Sequence, residues 1–227
     1  MAIVGVVASC DLRTVSSTPI PLGQGSLAPS TLTEAANEVN ERLLRSQQAV
    51  RDVLDLFDII DLRMLSGLVG ELFSSAVAGA DNRLLKNPNI DGYPDLCDVS
   101  TGDTAYSTAD FIAFPGGGLE VKNTFGLKRT GVDIGPRQTR SGLIQRKLVW
   151  KAHHRTTNRL VALRSDYISG VPQIVAGYFS SDLIPADWTE KQQPREGSTM
   201  TSFCQTRSSA FEKLQAGLLF VHKDYEG

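Results

Sequence analysis

The chain has 227 residues, 41% of them hydrophobic and 21% charged, with a net charge of −2. That length and balance suit one sizeable core with appendages and exclude a fibrous or wholly disordered chain. No apolar run approaches the ~18 residues that a membrane span needs, and three sparse cysteines (Cys10, Cys97 and Cys204) without metal-ligand spacing point to a reducing, cytoplasmic setting.

Val7-Ala8-Ser9-Cys10 has the outline of a lipoprotein cleavage site, but no Lys or Arg precedes it, and a first strand or a docked tail is the plainer expectation. Residues 13–31 are rich in Ser, Thr, Pro and Gly, so residues 1–31 read as an irregular N-terminal arm of a single domain. Thr31 or Thr33 is placed to cap a helix whose apolar residues recur at Ala36, Val39, Leu43, Val50, Leu54 and Phe57, to about Ile60. A second helix is predicted from Ser66, with one stripe of Leu65, Leu68, Val69, Leu72, Phe73, Ala76 and Val77, ending at Gly79.

Asn87-Pro88-Asn89 and Asp91-Gly92-Tyr93-Pro94 interrupt regular structure. Phe111 to Phe114 is a short apolar run. Pro115-Gly116-Gly117-Gly118 forms a turn, and Leu119 to Lys122 alternates as a half-buried strand does. Residues 126–142 form a basic, glycine-containing loop. Strands are then expected at Leu148–Ala152, Leu160–Leu163 and Gln173–Phe179. A helix is expected near Ala186 and another over Ser208 to Leu214, before a last strand at Leu218–His222. Helices first and strands in the middle predict an α/β (α+β) fold with a central mixed β-sheet flanked by helices. Trp150 and Trp188 are expected as core anchors.

The charge is unevenly spread. Residues 1–121 carry a net −9, residues 122–164 a net +10, and residues 165–227 a net −3. The middle block holds 11 basic residues against the single acid Asp133 and is a candidate footprint for a polyanion.

The chemistry is carried by Pro94-Asp95 and Glu120-Val121-Lys122. Side chains alternate along a strand, so Glu120 and Lys122 leave the same face. An acid on a neighbouring strand would converge with them. Two carboxylates suit a hard divalent cation such as Mg²⁺. An ammonium beside them suits an attacking water or a charged transition state. Asp98, Asp103 and Asp110 compete with Asp95 for the part of first acid.

At these residues the sequence resembles the PD-(D/E)XK nuclease superfamily, and most closely its type II restriction endonucleases. The resemblance covers a core of about residues 60–180. It implies a restriction-endonuclease-like fold, Mg²⁺ dependence and sequence-specific hydrolysis of double-stranded DNA leaving 5′-phosphates. Asp95 and Glu120 would be the metal ligands, with Lys122 at the attacking water. Glu71 matches the acidic residue that many such enzymes add from the helix before the sheet. The chain departs from the pattern in the 24 residues between Asp95 and Glu120, which require an additional turn or hairpin. Lys128, Arg129, Arg137, Gln138 and Arg140 then read as the DNA-reading loop. His154 is a candidate phosphate contact, although a structural role competes and His153 points to the opposite face. A palindromic site implies a homodimer, and host protection implies a cognate DNA methyltransferase. A structure-specific repair or junction nuclease on the same scaffold and a non-catalytic DNA-binding protein are the alternative readings.

Overall fold

The computed structural model describes residues 12–89, 92–102, 114, 116–125, 147–193 and 202–226. Its centre is a seven-stranded mixed sheet in which each apolar strand face meets a separate helical layer. From one edge inward run β1 (Leu12–Thr14), β11 (Leu218–His222), β9 (Val171–Ser180) and β8 (Leu160–Ile168). Then come β6 (Gly118–Phe125), β5 (Leu96–Asp98) and β4 (Leu84–Lys86). The pairings are antiparallel except β6 with β8, which run parallel. Two small two-stranded pairs lie outside it: the hairpin of β2 (Ile20–Pro21) with β3 (Ser26–Leu27), and the long-range pair of β7 (Lys151–Ala152) with β10 (Cys204–Gln205).

Helix α1 (Pro29–Val50) begins at a proline, whose missing N–H costs nothing in a first turn. Thr31 is therefore inside the helix, and Thr33 is not a cap: its hydroxyl donates back to the Pro29 carbonyl at 3.1 Å. The buried stripe Leu32, Ala36, Val39 and Leu43 packs on the sheet. The helix stops about ten residues short of its predicted end. Residues 51–55 turn the chain, the Gln47 side chain accepts from the Leu56 N–H at 3.0 Å, and Phe57 is buried from a separate turn of helix, α2 (Leu56–Ile59).

Helix α3 (Leu62–Ala80) starts four residues before Ser66, because Asp61 accepts from the Arg63 N–H at 2.8 Å and caps it. Leu65, Val69, Phe73, Ala76 and Val77 are buried against the sheet, whereas Leu68 is 41% exposed and stands outside the stripe. Helix α4 (Ser208–Ala216) covers the opposite face, over a second cluster that includes Trp150, Trp188 and Tyr178. Both tryptophans are fully buried core residues.

The N-terminal arm is more regular than its composition suggests: β1 joins the sheet and the β2–β3 pair follows. The helix expected near Ala186 is a single 3-10 turn, Pro185–Asp187. No described helix is long and apolar enough to cross a membrane.

Buried Asn40 shows how the layers are locked. Its amide donates to the Ile174 carbonyl at 2.9 Å and accepts from the Ile174 N–H at 2.7 Å. The register between β8 and β9 shifts beside this residue. A strand residue at a bulge loses ladder partners, and the Asn40 side chain supplies them.

Candidate active site

The turn between β4 and β5 sets the position of the first acid. The Asn87 amide donates to the Pro94 carbonyl at 3.0 Å, and the Asn87 N–H donates to the Asp95 carbonyl at 2.9 Å. The Tyr93–Pro94 peptide is cis. Asp95 therefore stands at the start of β5, where Leu96 pairs with Leu119 of β6. Antiparallel pairing places residue 95 opposite residue 120, which resolves the long sequence gap between them.

Gly118 makes that pairing possible. Its φ is 150°, and a Cβ built there would lie 1.9 Å from the Leu96 carbonyl oxygen and 2.7 Å from the Pro94 ring. Only glycine allows β5 and β6 to approach so closely.

The three side chains meet. The Lys122 Nζ lies 3.0 Å from Asp95 Oδ2 and 2.7 Å from Glu120 Oε1. The Val121 N–H donates to Asp95 Oδ2 at 2.7 Å, and the Asp95 N–H donates to Glu120 Oε2 at 3.3 Å. One ammonium thus separates the two carboxylates. Glu120 is recessed at 4% exposure, while the Asp95 and Lys122 side chains keep 25% and 21% of their surface open.

The electrostatics follow from burial. Burial raises the Glu120 carboxyl above the ordinary carboxylate range; the Lys122 ammonium opposes this, and the Asp95 carboxylate adds to it. Burial works to remove the Lys122 proton, but Glu120 and Asp95 outweigh it and hold the ammonium above the ordinary lysine range. Neighbouring Cys97 is buried, and burial with the Asp95 charge pushes its thiol up to about 11, so it is no nucleophile at neutral pH.

A cleft of about 630 Å³ opens beside the site, between α3, β6 and residues 149–153. It is lined by Asp95 and Lys122 and by the small face of α3, Ser66, Gly67, Gly70 and Ser74. Glu71 lies on its rim and on that of a smaller cavity of about 250 Å³, where it pairs with Lys86 at 2.5 Å. Asn123, Lys151, His153 and Phe203 also line the cleft and were not singled out as site residues from sequence, His153 only as a partner of His154. Asn123 is the neighbour of Lys122 on the opposite strand face, and Lys151 belongs to the basic block. Phe203 has no sequence signal pointing to it.

The other candidates lie elsewhere. Asp98 is fully buried and accepts from the Gly23 N–H at 2.7 Å and the Ser100 N–H at 3.0 Å, so it ties the N-terminal arm to the sheet rather than joining the site. The His154 ring packs on Tyr93, with centroids 5.6 Å apart, while it is His153 that lines the cleft. Burial lowers the His154 pKa, helped by the nearby charges of His153, Lys191 and Lys122. Asp103, Asp110, Lys128, Arg129, Arg137, Gln138 and Arg140 lie outside the described residues.

Among the described residues no group of three or more His, Cys, Asp and Glu side chains is gathered for a metal ion. Asp95 and Glu120 nevertheless make a donor pair of the right chemistry for a hard cation. Both are carboxylates, and their mutual repulsion is offset by a single ammonium. Compared with protein-family models, with curated proteins and with solved structures, the chain matches none.

Proposed function

We propose that the chain is a metal-dependent DNA endonuclease of the PD-(D/E)XK type, acting as a type II restriction enzyme on double-stranded DNA. The observation that carries this reading is the meeting of Asp95, Glu120 and Lys122, with Asp95 and Lys122 lining an open cleft and Glu120 recessed behind them. Two acids and an ammonium on adjacent strands are what phosphodiester hydrolysis asks of a protein: ligands for a divalent cation and a charge beside the attacking water.

Asp95 and Glu120 would hold Mg²⁺, which neutralises phosphate charge and acidifies water when bound. The chain's own groups do the rest. Lys122 orients the attacking water and stabilises charge building on the phosphate oxygens. The Val121 N–H fixes one oxygen of Asp95, and the Asp95 N–H fixes one of Glu120, so both carboxylates are oriented before substrate arrives. Glu71, at the rim and paired with Lys86, is a second acid on the cleft beside Asp95. Breakage on the 3′-oxygen side of the phosphate leaves a 5′-phosphate end. A palindromic target calls for two copies of the chain, and a cell carrying such an enzyme needs a methyltransferase of matching specificity.

Purified protein incubated with phage DNA and Mg²⁺, with an EDTA control and end sequencing, tests the proposal. A fixed ladder with a common end sequence is expected. Cutting that follows DNA shape rather than sequence would favour a repair or junction nuclease, and tight binding without any cutting would leave a non-catalytic DNA binder.

A further inference from the structure

The cleft beside the carboxylates is larger and more apolar than a phosphate group requires. Its volume of about 630 Å³ falls in the ~300–1,000 Å³ range of sites that enclose a small molecule. Phe125, Val149 and Phe203 supply apolar wall. Val149 is 38% exposed, and the Lys151 ammonium rests 4.4 Å from the centre of the Phe203 ring.

The cleft is also lined by a sheet edge, residues 121–125 of β6, to which Phe125 itself belongs. Strand β5 stops pairing at Leu119, so residues 121–125 have β8 on one side and no described strand on the other. The N–H and C=O groups of a strand face its two sides alternately. On the open side, Asp95 takes the Val121 N–H, and Ser66 donates to the Asn123 carbonyl at 2.7 Å. The Val121 carbonyl and the Asn123 N–H face the same way, so among the described residues the edge offers an acceptor and a donor. The Asn123 side chain is held beside them, accepting from Ser165 at 2.8 Å.

Apolar lining beside a short donor–acceptor edge suits a flat heterocycle. A duplex, whose major groove alone is ~12 Å wide, does not enter a space of this size, but a single nucleotide does. On the nuclease reading above, we propose that the cleft is a nucleobase pocket: the nucleotide adjoining the scissile phosphate leaves the helical stack and seats its base between Phe203 and the β6 edge at Asn123, with its backbone toward Lys151. Extrusion costs unpairing and unstacking energy, which contacts in the pocket offset.

Duplex oligonucleotides with 2-aminopurine at successive positions around the cut site, bound by the full chain with Ca²⁺ in place of Mg²⁺, test the pocket. A several-fold fluorescence rise is expected at one position next to the cut, with duplex-level signal elsewhere. Phe203→Ala and Asn123→Ala should each reduce that rise. A wild-type chain that cuts DNA with no rise at any position overturns the pocket and leaves the nuclease standing. A rise undiminished in both variants also overturns it, because the base then sits elsewhere. A chain that neither binds nor cuts DNA overturns both readings.

Discussion

Lys122 offsets part of the charge of two acids, and on the nuclease reading its removal should separate catalysis from binding. Without the ammonium, Asp95 and Glu120 still face one another, but on the nuclease reading the group proposed to stabilise charge on the reacting phosphate is gone. Lys122→Ala is expected to slow cleavage by about 10²–10³-fold, while DNA affinity in Ca²⁺, read by gel shift, stays close to wild type. Undiminished cleavage would remove Lys122 from the chemistry. Asp95→Asn makes a different demand. The amide oxygen keeps an acceptor for the Val121 N–H, but the ligand charge is gone. A ligand that binds only the folded state raises the melting temperature. Mg²⁺ should therefore raise the melting temperature of the wild-type protein and leave that of Asp95→Asn unchanged, a readout independent of cutting.

At the scale of elements, the site depends on how closely β5 and β6 approach. A side chain at Gly118 meets the Leu96 carbonyl, and the backbone conformation alone costs a non-glycine residue about 1–3 kcal/mol. Gly118→Ala should lower the melting temperature and abolish cleavage together, because Asp95 moves away from Glu120. A second anchor lies across the sheet, where Asp187 ties the 3-10 turn to α4. Burial raises its pKa, but hydrogen bonds from Ser209, Lys213 and the Ile184 N–H outweigh it and hold the value below the ordinary 3.8. A depressed carboxyl stabilises the fold above its unfolded pKa, and that stability is lost as pH falls through the folded value. Urea unfolding from neutral pH into acid should show a smaller acid loss in Asp187→Asn than in wild type, from a lower starting stability at neutral pH.

The elements that sequence made legible are those with sustained periodicity or a clear breaker. The last strand, Leu218–His222, lies where predicted, and β6, β8 and β9 each contain their predicted segments. Periodicity carried α1 too far because Leu54 and Phe57 keep the helical rhythm, although the chain turns between them and Val50. β1, β4 and β5 each span three residues, too few to display a period, and their strand character comes from their neighbours. The pairing of Asp95 with Glu120 was visible as a motif, but not as a register. That register depends on Gly118 and the Asn87 turn, whose effect is spatial.

For the whole molecule, the basic block divides once folded. Arg164 is fully buried near Tyr178, with its pKa lowered by burial, so it belongs to the core and not to any surface footprint. Arg155 pairs with Glu190 at 2.6 Å, and Arg159 donates to the Pro21 carbonyl. Lys151 differs from these: it is exposed, stands over Phe203 and lines the same cleft as Asp95. Net charge in sequence therefore overstates the field at the surface, and cations near one another in sequence differ in what they can neutralise. Each phosphate neutralised releases counterions, so affinity falls with salt in proportion to the number of such contacts. Lys151→Ala should weaken binding about equally across DNA sequences and lower the slope of log K against log salt by about 1. Arg155→Ala should leave that slope unchanged, because Glu190 already neutralises its charge. Equal slopes for wild type and Lys151→Ala would place the DNA backbone away from this cleft, and a slope lowered by Arg155→Ala would mean that its ion pair opens to DNA.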